Sequence, residues 1–277
     1  MPHPFRGARL SLMLSVPDAG ELRLEQAGSV PLLRFHSLDH GGVISHAVLT
    51  RLGGVSRAPY QWLNVASSTG DDPDAVRENR ALAMSAAAMA PGSVATSRQM
   101  GGSDVAVVDA PQVNGPPAVD AMVTGRPGVN LAMAFADCLP IIVADPAVPA
   151  LALVHAGWRG SVGQVSLRTW EALAGLGACP ERAVAYFGPA IGPCCYEVGQ
   201  DVARRARALG CAGEESVEQR CGRLYLDLPG LNARLLAGVG VQAVHSGLCT
   251  ACRADLFYSH RAESGRTGRF AVYAGIA

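Results

Sequence analysis

The chain has 277 residues, nearly half of them hydrophobic and 17% charged, which makes it globular and long enough for one large domain. Its 23 basic and 23 acidic residues cancel, leaving no electrostatic case for a nucleic-acid or membrane-surface partner. Every basic residue is arginine, so lysine-dependent chemistry is excluded: a Walker-type phosphate loop, pyridoxal phosphate and Schiff bases.

Residues 1–30 form a poorly patterned leader, and the domain proper is expected over 31–277. Arg6 and Arg9 ahead of the apolar run 10–16 faintly resemble a signal peptide, but Asp18 and Glu21 follow at once. No run approaches the roughly 20 apolar residues of a membrane helix. Eight cysteines are too sparse for a disulfide scaffold, and a reducing, cytoplasmic setting fits them best.

Short apolar runs over 31–50 predict strands, and 50–56 (TRLGGVS) a glycine-containing turn. A helix is predicted over 72–89, with Asp72 as N-cap, Pro73 at the first helical position and an alanine-rich body. Strands follow at 103–109, 121–124, 130–135, 139–144 and 150–155, then a helix with apolar spacing at 162–176. A strand at 183–188, a Pro/Gly turn, a helix at 198–209 and short strands near 224–226, 243–247 and 270–273 complete the chain. Strands and helices mix without a regular βαβ alternation, so the class is α+β.

The densest chemical signal lies between residues 134 and 160. Cys138 (in ADCLPI) and His155 (in VHAGWRG) sit on strands separated only by the 146–149 turn, so a thiolate and an imidazole can meet at one sheet end. Such a pair suits a zinc ion, or a nucleophile with its base; a buried cysteine and a satisfied core histidine are the plain alternative. Arg159, between Gly157 and Gly160 at a strand-to-helix turn, suits an anion, helped by the helix N-terminus behind it, and Arg51 before Gly53-Gly54 offers a second such position. Adjacent Cys194-Cys195 invites a redox reading, though packing is the better expectation. Cys249-x-x-Cys252 resembles half a zinc knuckle, but lacks a second CxxC. His36, His40, His46, His245 and His260 lack ligand-like spacing and read as structural.

Taken together, ordered segments from about His46 to Gly275 resemble the YfiH/YlmD laccase-domain family. They are TRLGGVS (50–56), LNVASSTGDDPDAVRENR (63–80), VDAMVTGRPGVNLAMAFADCLPIIVADP (119–146), ALVHAGWRGSVG (152–163), YFGPAIGPCCYEVG (186–199), LCTACR (248–253) and FYSHRAESGRTGR (257–269). The resemblance implies a single-domain, four-layer α/β/β/α sandwich with mixed sheets. It implies one zinc held by a His–Cys–His set, copper being the weaker assignment, with Cys138 and His155 as metal ligands. It also implies phosphorolysis of purine nucleosides, with adenosine deaminase and methylthioadenosine phosphorylase side activities. Cys138, His155 and Arg159 are then the catalytic candidates, and Arg51, Asn64, Gln99 and Arg159 the candidates for holding substrate or phosphate. The expected partners are a purine nucleoside and phosphate, with neither nucleic acid nor membrane.

One ligand departs from that pattern. The family's first histidine lies in a Gln-x-His-Gly segment, which here reads Gln99-Met100-Gly101-Gly102. Gln112-Val113-Asn114-Gly115 looks similar but lies too close to Cys138. His260 stands where the family has tyrosine. A catalytic zinc normally takes three protein ligands, so a seat of Cys138 and His155 alone is expected to hold the ion weakly. A thiol hydrolase acting on a cell-wall precursor amide, and a non-catalytic member that binds nucleoside or a partner, are the alternatives.

Overall fold

The computed structural model describes residues 21–39, 42–111 and 115–277. The signal-like stretch, His40 and the 112–114 part of the histidine-segment look-alike lie outside these residues. Strands from both ends of the chain form the first sheet, in the order β1 (Leu22–Ala27), β2 (Val30–Phe35), β3 (Ile44–Leu49), β15 (Phe270–Ile276), β7 (Asn130–Phe135) and β4 (Val94–Thr96). The second sheet runs β14 (Gln242–His245), β10 (Val184–Phe187), β8 (Leu139–Asp145), β9 (Ala150–Ala156), β6 (Ala121–Thr124) and β5 (Val105–Val107). A small third sheet joins β11 (Glu197–Val198), β13 (Arg223–Leu226) and β12 (Val217–Arg220).

The two large sheets pack face to face because their central strands are apolar on both sides. On β9, Leu151 and Leu153 enter the core shared with the first sheet, while Ala150, Ala152, Val154 and Ala156 face the opposite way. On β15, Phe270, Val272 and Ala274 face the shared core, and Ala271 and Tyr273 face outward. This two-residue period gives every central strand two buried faces, which is why they appear as continuous apolar runs.

Helices cover the outer faces. The helix α1 (His36–Asp39) is a single turn between β2 and β3, and α2 (Pro73–Ala86) packs Ala83 and Ala86 on the first sheet. Asp72 caps α2 by accepting from the Asp74 N–H at 2.9 Å, as its sequence predicts. The second sheet is covered by α3 (Trp158–Val162), α4 (Val165–Ala174), α5 (Gln200–Arg207) and α7 (Leu228–Ala237), with the one-turn α6 (Cys211–Glu214) between the last two. The result is the expected α/β/β/α layering with both parallel and antiparallel pairs.

Several details differ from the sequence expectation: β4, β12 and α6 were not anticipated, and the strand expected over 103–109 is only Val105–Val107. Residues 22–27, assigned to the leader, form β1 and pair with β2 from Leu22↔Phe35 to Ala27↔Val30. The single helix expected over 162–176 is two, broken at Gln164, whose φ of +60° belongs to the left-handed region. Helix α7 was not anticipated; Asp227 caps it by accepting from the Gly230 N–H at 2.9 Å.

His46 shows how a polar residue is accommodated inside the shared core. It is fully buried and its Nε2 accepts the Phe35 N–H at 2.7 Å. Burial holds its pKa down at about 4, against the pull of nearby Asp39 and with the help of Arg34. The folded value is depressed below 6.5, so the unfolded chain takes up the proton first. Stability should be complete above about pH 6.5 and fall by roughly 3 kcal/mol as pH drops to 4. Urea midpoints measured across that range should show the loss in the wild type and a flatter profile in His46→Gln; parallel profiles would refute this role.

Candidate functional site

Strand β7 belongs to the first sheet and β8 to the second, so residues 136–138 carry the chain from one sheet to the other. Cys138 ends this crossing and is partly exposed. Strands β8 and β9 pair with Pro140 opposite His155 and Leu139 opposite Ala156, which places the imidazole beside the crossing. His155 is stacked obliquely on Phe135, with ring centroids 5.5 Å apart.

The partner that organises this pair is Asp120, at the edge of β6. It is fully buried, and all four of its close donors are in place. Oδ1 lies 2.8 Å from His155 Nδ1 and accepts the Gly101 N–H at 2.9 Å; Oδ2 accepts the Met100 N–H at 3.1 Å and the Gly102 N–H at 2.7 Å. Burial by itself would raise the Asp120 pKa, but the His155 hydrogen bond and the glycine N–H groups outweigh it and hold the value low. For His155 the balance runs the other way. Burial would depress it, yet the nearness of Cys138 and the Asp120 hydrogen bond raise it to about 9. With Nδ1 on Asp120, Nε2 is the nitrogen left for Cys138. Asp120 and His155 are thus hydrogen-bonded with Cys138 close by, the grouping that a nucleophile, its base and the group that orients the base require.

The crossing itself is held in a conformation that side chains rarely adopt. Asp137 has φ of +87° and is fixed from three directions. Its Oδ1 accepts from Thr250 Oγ1 at 2.7 Å, its Oδ2 from the Arg261 N–H at 2.7 Å, and its carbonyl from the Ile191 N–H at 2.9 Å. Tyr196 lies within electrostatic reach of Cys138 and of two arginines. Burial and then the charge of Cys138 push the Tyr196 phenol up, with Arg261 and Arg159 pulling against them. Arg261 sits over the Tyr196 ring at 5.2 Å, and Arg159 is exposed, stacked on Trp158 at 4.5 Å. Burial lowers the pKa of Arg269 against the charges of Cys138, Asp137 and Glu263. Arg269 is itself held by the carbonyls of Thr267 and Gly268, so Arg159 and Arg261 are the exposed cations near Tyr196 that suit an anionic substrate group.

Three other candidates from the sequence are engaged elsewhere. Arg51 is buried; it donates to the carbonyls of Gln61 and Ala254 at 3.0 and 2.8 Å, pairs with Glu263 at 3.0 Å and lies over Tyr258. Asn64 is fully buried, donates to Ala66, Thr69 and Asp71, and accepts the Arg269 N–H at 2.9 Å. Gln99 pairs both ends of its amide with the Ala134 backbone, at 2.8 and 3.0 Å. Asn64 thus reaches the site through Arg269, and Gln99 through β7. The helix expected to support an anion at Arg159 is only the five residues of α3.

The three-ligand zinc set does not fit the residues present. Gly101 contributes only its N–H, to Asp120, and open space surrounds the point where a Cβ would stand. His260 is exposed and lies against Gly265. Among the described residues, the grouping of three or more donors close enough for one ion is Cys194, Cys195, Cys249 and Cys252, and it includes neither Cys138 nor His155.

Gly157 offers a local test of the geometry. A Cβ there would stand 3.0 Å from Cys138 Sγ, with ordinary backbone angles. Gly157→Ala should displace the thiol by a few tenths of an ångström and lower turnover by about tenfold, with little loss of thermal stability. An unaltered rate would mean that the position of Cys138 is not critical.

A family model described as multi-copper polyphenol oxidoreductase laccase matches residues 45–277. The chain belongs to this laccase-like YfiH/YlmD family. A purine nucleoside phosphorylase of Deinococcus radiodurans is 44% identical over 251 residues, covering 90% of this chain and 94% of that protein. Purine nucleoside phosphorylase YfiH of Escherichia coli is 35% identical, covering 81% and 90%. The fold agrees with the crystal structure of YlmD from Geobacillus stearothermophilus, with a TM-score of 0.83 and 30% identity over 91% of this chain and 98% of that one. The Bacillus licheniformis protein YfiH gives a TM-score of 0.84 at 27% identity, over 92% and 99%. Among the described residues no helix is long and apolar enough to cross a membrane.

Proposed function

We propose that this chain is a cytoplasmic purine nucleoside phosphorylase. The observation that carries the reading is the near full-length likeness to a purine nucleoside phosphorylase at 44% identity. The exposed guanidinium groups of Arg159 and Arg261 near Tyr196 support it. A phosphate oxygen attacks the anomeric carbon of the ribose, the carbon–nitrogen bond to the purine breaks, and the base leaves with a proton as ribose 1-phosphate forms. Arg159 and Arg261, both exposed, hold the phosphate. His155, oriented by Asp120, and Cys138 line the reacting end. Methylthioadenosine, altered only at the 5′ position, is split by the same steps. Adenosine deamination requires an activated water, ordinarily supplied by a three-ligand metal. That donor set is incomplete, so this side activity is expected to be absent.

Purified protein should release hypoxanthine and ribose 1-phosphate from inosine only when phosphate is supplied. Arg159→Ala should raise the KM for phosphate by about tenfold to a hundredfold, the loss of one charge-assisted contact. Base release without phosphate, or none at all, would sink the reading.

The Asp120–His155 pair with Cys138 close by favours one second reading, a thiol hydrolase acting on an amide such as a cell-wall precursor. It requires Cys138 to be alkylated by iodoacetamide faster than exposed Cys211 and Cys221, with parallel loss of amide cleavage. Nucleoside binding without turnover of either kind would instead mark a non-catalytic member.

A further inference from the structure

Parallel strands β10 and β14 are neighbours, with Val184 opposite Gln242 and Phe187 opposite His245, so the loops that follow them leave the same end of the sheet. The loops stay paired beyond the strands. The Ala190 N–H donates to the Leu248 carbonyl at 3.2 Å, and the Thr250 N–H to the Ala190 carbonyl at 3.0 Å. This pairing brings Cys194 and Cys195 of one loop against Cys249 and Cys252 of the other. All four sulfurs lie within 4.8 Å of one another. Cys252 Sγ is 3.6 Å from Cys194 Sγ and 3.4 Å from Cys195 Sγ.

These separations are far beyond a disulfide, whose sulfurs lie about 2.05 Å apart. They match a different object. Four sulfurs placed tetrahedrally about 2.3 Å from a zinc ion are about 3.8 Å from each other. A multi-iron cluster would spread its cysteine ligands wider. The backbone is also arranged for thiolate: the Gly192 N–H donates to Cys249 Sγ at 3.2 Å. Gly192 packs closely on the cluster: a Cβ there would stand 3.3 Å from Cys194 Sγ and 3.4 Å from the Cys249 Cβ. Arg261 donates to the carbonyls of Cys195 and Glu197, and Arg220 to that of Pro193, placing positive charge beside the excess negative charge of four thiolates.

We propose that Cys194, Cys195, Cys249 and Cys252 bind one structural zinc ion that clamps these two loops together. The site is distinct from Cys138 and His155 and independent of the phosphorylase reading. Soft thiolates in a closed tetrahedral set select such an ion and leave no open position for substrate. The clamp also has a structural consequence for the neighbouring site. Ile191 and Thr250, one from each loop, both hydrogen-bond Asp137, the residue before Cys138.

The test is zinc content in the full chain carrying Cys138→Ser and His155→Ala, purified without added metal. About one zinc per chain should remain in that variant, and near none in Cys249→Ser/Cys252→Ser. Cobalt loaded into the first variant should give a thiolate charge-transfer band. Should the second variant fail to fold, alkylation of the zinc-loaded wild type decides: exposed Cys211 and Cys221 should react at once, the four clustered cysteines only after a strong chelator, and then together. A zinc-free Cys138→Ser/His155→Ala chain overturns the proposal. So does alkylation of the four at the rate of Cys211 and Cys221, or a disulfide among them in freshly purified protein.

Discussion

Asp120→Asn is expected to lower turnover by about a thousandfold to ten-thousandfold and to destabilise the fold by about 2 kcal/mol. The substitution is conservative in shape only. Oδ1 and Oδ2 both accept backbone N–H groups, Oδ1 from Gly101 and Oδ2 from Met100 and Gly102. Whichever way an asparagine is turned, its amide nitrogen faces a donor. The buried N–H left without an acceptor accounts for the stability loss. The catalytic loss is larger because Oδ1 also fixes His155 through Nδ1 at 2.8 Å, and an asparagine cannot both hold the residue 100–102 loop and keep the same imidazole orientation. Thermal unfolding and initial rates of inosine phosphorolysis check the two parts separately. Retained activity would remove His155 from the mechanism.

The second large effect is a gain. Gly101→His should add one zinc per chain beyond any held elsewhere, and with it phosphate-independent deamination of adenosine. Two features bear on whether the variant folds. The φ of +72° at Gly101 imposes a strain of about 1 kcal/mol on any side chain, and nothing within 4 Å obstructs a Cβ. A third ligand contributes several kcal/mol to an ion whose complete structural site is worth roughly 10–16 kcal/mol, so the strain is easily outweighed. Metal analysis and inosine formation are the readouts. Unchanged zinc content would mean that residue 101 does not face the pair, or that another group already serves.

Much of the fold is legible in the sequence because its signals are local. Ala121–Thr124 and Asn130–Phe135 are bounded in the sequence as the structure bounds them, since apolar runs broken by Gly and Pro leave little choice. The Cys138–His155 meeting follows from two strands joined by one short turn. What escaped depends on contacts between distant segments. Asp120 meets His155 and the 100–102 loop only through the fold, and an acid at the start of a strand has no local mark of burial. The same holds for Cys194-Cys195 and Cys249-x-x-Cys252, whose sulfurs meet across some 57 residues. Each pair alone is half a site. Arg51 illustrates the opposite error. A guanidinium beside two glycines has the local character of an anion site, yet here it supports Ala254, Gln61 and Glu263. Leu22–Ala27 was hidden for a related reason: an edge strand with alternating charged residues resembles a polar leader until its partner is known.

This chain is expected to break purine nucleosides with phosphate, using the Asp120–His155 pair beside Cys138 and the exposed Arg159 and Arg261. The most direct test is the product pair formed from inosine by the wild type and by His155→Ala, with and without phosphate. Equal amounts of hypoxanthine and ribose 1-phosphate, formed only with phosphate and reduced by about a hundredfold or more in the variant, are the expected result. Hypoxanthine with free ribose, or the same rate in both proteins, would contradict it.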